Sequence, residues 1–321
     1  MIGIFNNARG VFWKISCVTF VFCLLTTSLA QNVFARVTFA ASRVAVLDFG
    51  ETETGRRAAA KLAKVLARDA LQITIVDQAQ SRAAASGSGY QGSLNMTLAE
   101  ARDLGAAIGC DFFVTGNAQT LRRSSSTNPA YYESSANVFF VHAQTGKLLF
   151  WENLDTEADT NEAAEAALLN EINEQFAAKF SVAIRRAQED AQLDRRTREK
   201  TLETATETPP FEDVPEENSS AAKDFRAPQP YRRLRPRYTD EAARFEVEAI
   251  VDVTVEIDAE GKVRNVDVVR WAGYELDQSV VETVRQLHFR PATRAGRNMP
   301  VRVLLRYNFR RPPKEGTTAN Q

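Results

Sequence analysis

Between Val247 and Ile257 every odd position is apolar (Val247, Ala249, Val251, Val253, Val255, Ile257), while four of the five even positions are polar. A period of two sends alternate side chains to opposite faces of an extended chain, so this segment reads as a half-buried strand. Asp258-Ala-Glu-Gly261 turns it back into a second strand from Val263 to Trp271. Leu276-Asp277 then opens a helix, with Asp277 expected as its cap and Val280, Val281, Val284 and Leu287 facing inward. Val301, Val303, Leu305, Tyr307 and Phe309 alternate once more. The order strand, strand, helix, strand predicts a small antiparallel sheet with one helix across one face.

The front half has a different grammar. Val44-Ala-Val-Leu-Asp-Phe49 is a continuous apolar run, as in a strand covered on both faces. Helical spacing follows from Arg56 to Leu71, and β-branched character returns at Ile73-Thr-Ile-Val76, a β-α-β pattern. Thr97-Leu-Ala-Glu100 is a capping box for a helix ending at Gly109, and Phe112 to Thr115 is the next strand. Two further strands, Ala136 to Ala143 and Lys147 to Trp151, flank a hairpin at Gln144-Thr-Gly146. A long helix runs from about Asn161 past Ala187; its stripe Leu168, Ile172, Phe176, Phe180, Ile184 suits packing on the preceding sheet, with a seam to a partner helix as the alternative. The predicted fold class is therefore α+β with α/β character: a mixed, sandwich-like block over residues 43–193, a linker, then a β-β-α-β domain over residues 234–312.

From residue 194 to 233 the apolar pattern gives way to Thr, Glu, Lys, Pro and Ser, so this stretch is expected to be a disordered tether, as is the tail 313–321. Its most polar part, 194–229, is about 36 residues, which extended span roughly 120 Å and would let the folded ends work apart.

Residues 1–30 carry Arg9 and Lys14, an apolar run from Ile15 to Leu29, and small residues at Ser28 and Ala30. That is a secretory signal pattern; the competing reading is an uncleaved anchor, for which the run is short. Cleavage would leave only Cys110, in a setting that favours a small buried hydrophobe over a reactive thiol.

Composition narrows function. The formal net charge is −1, with pI about 6.3, so a nucleic-acid partner is not expected. Two His (His142, His288) and three Cys, far apart, support neither a metal site nor a disulfide framework. Gly87-Ser-Gly-Tyr-Gln-Gly92 matches a GxGxxG string, but no strand directly precedes it and the next helix is capped only at Thr97, so it reads as a loop. Ser88 lacks the glycine of a nucleophile elbow, and Glu216-Glu217 sits in the solvated linker. No cofactor and no enzymatic activity are expected.

Arg244-Phe-Glu246, Val251-Asp-Val-Thr-Val-Glu-Ile-Asp258, Gly261-Lys-Val-Arg-Asn-Val-Asp-Val268, Leu276-Asp277 and Leu287-His-Phe-Arg-Pro-Ala292 resemble the carboxy-terminal domain of the TonB energy-transducer family, over about Leu234 to Phe309. At Pro236-Arg-Tyr-Thr239 the second proline of many members is missing. The resemblance implies a periplasmic domain that pairs with a short segment of an outer-membrane receptor, driven through an inner-membrane motor complex. The family's membrane helix carries Ser and His four residues apart; here Ser16 is followed by Phe20, which puts motor coupling in doubt. More loosely, the front block resembles α/β domains of the CsgG and TolB amino-terminal kind, which implies protein contacts.

The expected partner-binding edge is the last strand: Val301, Arg302, Val303, Leu304, Leu305, Arg306 and Tyr307. Unpaired backbone groups there would accept an extended peptide. Arg302, Arg306 and Arg310 would steer an acidic segment, or else only keep the edge soluble. The functional expectation is outer-membrane transport by edge pairing with a receptor or another envelope protein, a homodimer being open; the alternative is a non-energised envelope scaffold using both blocks.

Overall fold

The structure, a computed structural model, describes residues 41–68, 73–124, 130–203, 211–216 and 218–311. The expected signal segment 1–30 and tail 313–321 lie outside the described residues.

The front block runs β1 (Ser42–Val46), α1 (Glu53–Arg68), β2 (Ile73–Ile75), α2 (Gln78–Gly87), β3 (Met96–Thr97), α3 (Leu98–Ile108), β4 (Phe112–Arg123), β5 (Tyr131–His142), β6 (Leu148–Ala158) and α4 (Asn161–Glu203). Its five-stranded sheet has the order β2-β1-β4-β5-β6. β1 is parallel to β2 and β4, joined by helical crossovers, and the β4-β5-β6 meander is antiparallel. The box at Thr97 is formed: Thr97 Oγ1 accepts from Glu100 N–H at 3.1 Å and Glu100 Oε2 from Thr97 N–H at 2.7 Å.

Val138, Phe139, Phe140 and Val141 of β5 are each 0% exposed, so this sheet is covered on both faces. On one face Val138 and Phe140 meet α1 and the stripe of α4, with Phe180 4.5 Å from Phe140 between ring centroids. The stripe is thus spent on the chain's own sheet. α4 keeps its helical backbone through Glu203, ten residues into the expected tether, because the helix formers Arg, Glu, Lys and Leu predominate there and Gly and Pro are absent.

The C-terminal half contains β7 (Glu212–Asp213), β8 (Phe225–Arg226), β9 (Gln229–Pro230), α5 (Asp240–Arg244), β10 (Ala249–Ile257), β11 (Val263–Trp271), α6 (Leu276–Arg285), β12 (Phe289–Arg290), β13 (Ala292–Arg294), β14 (Arg297–Met299) and β15 (Val301–Phe309). The sheet order is β3-β11-β10-β15-β7, so the expected three-stranded unit is flanked by one short strand from the front block and one from the linker. α6 packs Leu276, Val280 and Val284 over the odd-numbered face of β10.

Three expectations change. Of the stretch 194–233, residues 204–210 and 217 lie outside the described residues, and the rest forms the end of α4, β7, a short 3-10 turn, β8 and β9. Val214 and Phe225 supply the apolar surface that lays this segment on the C-terminal core. Next, the two blocks do not stand apart: the second face of the front sheet, with Phe113, Phe139 and Val141, shares one core with Val251, Val253, Trp271 and Tyr274. Lastly, Asp277 is not the cap of α6. Glu275 holds that position, while Asp277 accepts hydrogen bonds from the N–H groups of Ala272 (2.8 Å) and Gly273 (2.9 Å) and fixes the loop before the helix.

The seam between the blocks is specific. Asn95 Nδ2 donates to the carbonyls of Ile250 (2.8 Å) and Trp271 (2.6 Å), and Trp271 Nε1 donates to Gly146 O at 3.0 Å. Gly146 has φ +73°, and a Cβ there would lie 2.1 Å from Leu98 O, so the hairpin needs glycine for both conformation and space. Phe139 stacks on Trp271 with centroids 6.0 Å apart, and Arg244 pairs with Asp155 at 2.6 Å.

Candidate partner-binding edge

β15 pairs with β10 in unbroken antiparallel register from Val301↔Ile257 to Phe309↔Ala249. On its other side, among the described residues, it meets only β7, in parallel, at Val301↔Glu212 and Arg302↔Asp213. Val214 N–H donates to Arg302 O at 3.2 Å and Glu212 N–H to Pro300 O at 3.4 Å, so the carbonyls of Pro300 and Arg302 point away from β10. Backbone direction alternates along a strand, hence Leu304, Arg306 and Asn308 also turn their N–H and C=O outward, whereas Val303, Leu305 and Tyr307 bond to β10. Among the described residues nothing outside β10 pairs with Leu304, Arg306 or Asn308. Of the seven expected site residues, Val301 and Arg302 are therefore already flanked by the linker strand, and the open ladder starts at Leu304, whose side chain is 61% exposed.

The arginines divide. Arg306 clamps Asp252 with two bonds, Nε at 2.8 Å and Nη2 at 2.9 Å, and Arg302 donates to Glu256 at 2.9 Å and lies 3.6 Å from Asp213. These carboxylates hold both guanidiniums above their ordinary range, the hydrogen bond being the largest cause in each case. Their charge is largely answered within the sheet. Along the open side runs a groove of about 850 Å³ whose walls are β15 and the segment 227–235. It presents Val303, Leu305 and Tyr307 beside Leu234, and Arg232, Arg233 and Arg235 at its rim have no ion pair among the described residues. The sequence boundary at 233/234 puts Arg232 and Arg233 in the linker and Arg235 in the C-terminal domain, with none of the three marked as a site residue; the visible clue is Arg-Arg-Leu-Arg-Pro-Arg237 itself. Tyr238 holds the end of this segment, its OH within 2.8 Å of Val247 O and 3.0 Å of Ala242 O.

The groups weighed for chemistry lie elsewhere and apart. Burial pushes the Cys110 thiol up to about 12, too high for a thiolate nucleophile at neutral pH. His142 stands edge-on to Phe112 at 4.9 Å, held below its ordinary value by burial. Gly87 ends α2 and the loop to Gly92 follows a helix, which removes the strand-to-helix context of a phosphate loop.

Residues 235–310 match the family model described as Gram-negative bacterial TonB protein C-terminal. This segment is a TonB-type carboxy-terminal domain. Among solved structures, the Pseudomonas aeruginosa TonB C-terminal domain is 21% identical and covers 29% of this chain and 89% of its own, with a TM-score of 0.23. The hypothetical protein CT253 from Chlamydia trachomatis is 12% identical, covering 41% and 94% at a TM-score of 0.31. The LpoB C-terminal domain from Salmonella enterica is 16% identical, covering 41% and 91% at 0.26. No curated protein matches the chain. The TonB-type domain accounts for β10, β11, α6 and β15, and thus for the open edge.

Proposed function

We propose that this chain is an envelope docking protein whose TonB-type domain captures an extended segment of an outer-membrane receptor by strand addition to β15, as part of energy-dependent transport across the outer membrane. The observation that carries the reading is the outward row of backbone groups at Leu304, Arg306 and Asn308 beside an apolar groove rimmed by unpaired arginines. Main-chain bonds supply affinity, alternate side chains in the groove supply selection, and the arginines raise the encounter rate with an acidic segment. The proposed setting is the periplasm. No bond-making step, cofactor or nucleic acid enters the mechanism. Ser16 and Phe20, on which motor coupling turns, lie outside the described residues.

A second reading, a non-energised scaffold, is favoured by the shared core around Asn95, Phe139 and Trp271. Two blocks locked as one body suit bridging of partners better than a tail reaching out on a tether.

A photo-crosslinker at Leu304 in intact cells tests the edge. Attachment to an outer-membrane receptor supports transport, attachment to a periplasmic protein supports the scaffold, and attachment to a second copy identifies a homodimer. No adduct at Leu304, with adducts at exposed Asp267 on β11, would refute edge capture.

A further inference from the structure

The linker strand β7 sits where a partner would. Glu212 and Asp213 run parallel to β15, Glu212 reaches Arg294 at 2.7 Å, Asp213 faces Arg302 at 3.6 Å, and Val214 closes the last rung on Arg302 O before packing into the domain core. Acidic, acidic, apolar is also what the surroundings would select, since Arg232, Arg233 and Arg235 line the groove that continues from this point.

We propose that Glu212-Asp213-Val214 is an internal competitor: it holds the first rungs of the β15 edge and is displaced by a partner peptide of the same chemistry, two acidic residues followed by an apolar one, running parallel to β15. The inference rests on the edge-pairing reading above and adds to it a resting state. A tethered strand competes at an effective concentration on the order of millimolar, so only a better-fitting segment opens the full ladder. Two paired positions with two exposed ion pairs make a weak strap, which suits reversible displacement.

The full chain tests this with a labelled synthetic peptide copying residues 208–216. Val214→Pro deletes the N–H that reaches Arg302 O without altering charge, and Glu212→Lys with Asp213→Lys turns the strap against Arg294 and Arg302. Both variants should bind the peptide about tenfold tighter than the parent, and a peptide with Lys at both acidic positions should not bind. In the parent, amide exchange at Val214 should speed up when peptide is added. Equal affinity for parent and variants would overturn the competitor while leaving edge pairing intact. Absence of binding to all three, with Val214 still protected in the parent, would overturn edge pairing and the competitor together.

Discussion

Asn95 grips Ile250 in both directions: its Oδ1 accepts from Ile250 N–H at 3.1 Å and its Nδ2 donates to Ile250 O at 2.8 Å. A single side chain from the front block thus acts as one more rung on β10, next to the short pairing of Met96 and Thr97 with β11.

Asn95→Ala strips partners from backbone groups of half-buried Ile250 and buried Trp271. Its cost should be on the order of 2–4 kcal/mol, read from urea unfolding of the full chain. Asn95→Asp should recover less than half of this, because it restores an acceptor and no donor. A loss under about 0.5 kcal/mol would mean that water replaces the amide at no cost.

Two neighbouring prolines should behave differently. Leu304→Pro removes an outward N–H on the open side and should abolish partner capture with the melting temperature nearly unchanged. Val303→Pro removes a bond to β10 and should destabilise the domain by about 3 kcal/mol, so lost capture there reports unfolding. Circular dichroism melts beside pull-downs separate the two; similar melts for both would reverse the assigned ladder direction.

Burial lifts the Asp277 carboxyl to about 6, against the opposing effect of the N–H groups of Ala272 and Gly273. In the unfolded chain it titrates near about 3.9. The folded state therefore keeps a proton that the unfolded state has lost between these values, and stability falls as pH rises through that window. The contribution is complete below about pH 4 and gone above about pH 6, on the order of 3 kcal/mol in all. Asp277→Asn should flatten this slope in urea titrations at pH 4 to 7. Parallel profiles for parent and variant would show that the carboxyl is hydrated.

Charge reversal at Arg232, Arg233 and Arg235 should slow association with an acidic peptide by about tenfold at low salt and leave dissociation within about twofold. Stopped-flow rates across salt concentrations check this, and an unchanged salt slope would remove the steering role.

Gly146→Ala adds a Cβ into Leu98 O at a left-handed position, so a loss exceeding about 1 kcal/mol is expected. Trp271 fluorescence should shift with it, because Trp271 Nε1 bonds to Gly146 O.

Legibility followed the range of the interactions. The β10 alternation, the Thr97 box and the Leu168-to-Ile184 stripe are local patterns, and each appears in the fold where the residues placed it. The α2 helix is not legible in the sequence because Ala and Ser in residues 78–87 carry a weak periodic pattern, although Asp77 caps it by accepting from Gln80 N–H at 2.9 Å. The sequence points to Asp277 as a cap because a carboxylate at a helix start usually serves one; the two loop N–H groups it serves lie four and five residues back. The joined blocks were invisible for a deeper reason. Phe139, Asn95 and Trp271 each fit a self-contained domain, and only their meeting across more than a hundred residues shows a common interior. For the site, the strand was evident, but which rungs lie open depended on a two-residue strand hidden in a polar stretch.

The Trp271 contact has a practical corollary. Cut free after residue 233, the last quarter of the molecule would turn the faces of Trp271 and Tyr274 toward solvent where Phe139 and Trp151 now cover them. An excised fragment should stick to itself through that newly bared aromatic patch, and any binding strength measured on it would describe a sticky remnant instead of the intact molecule.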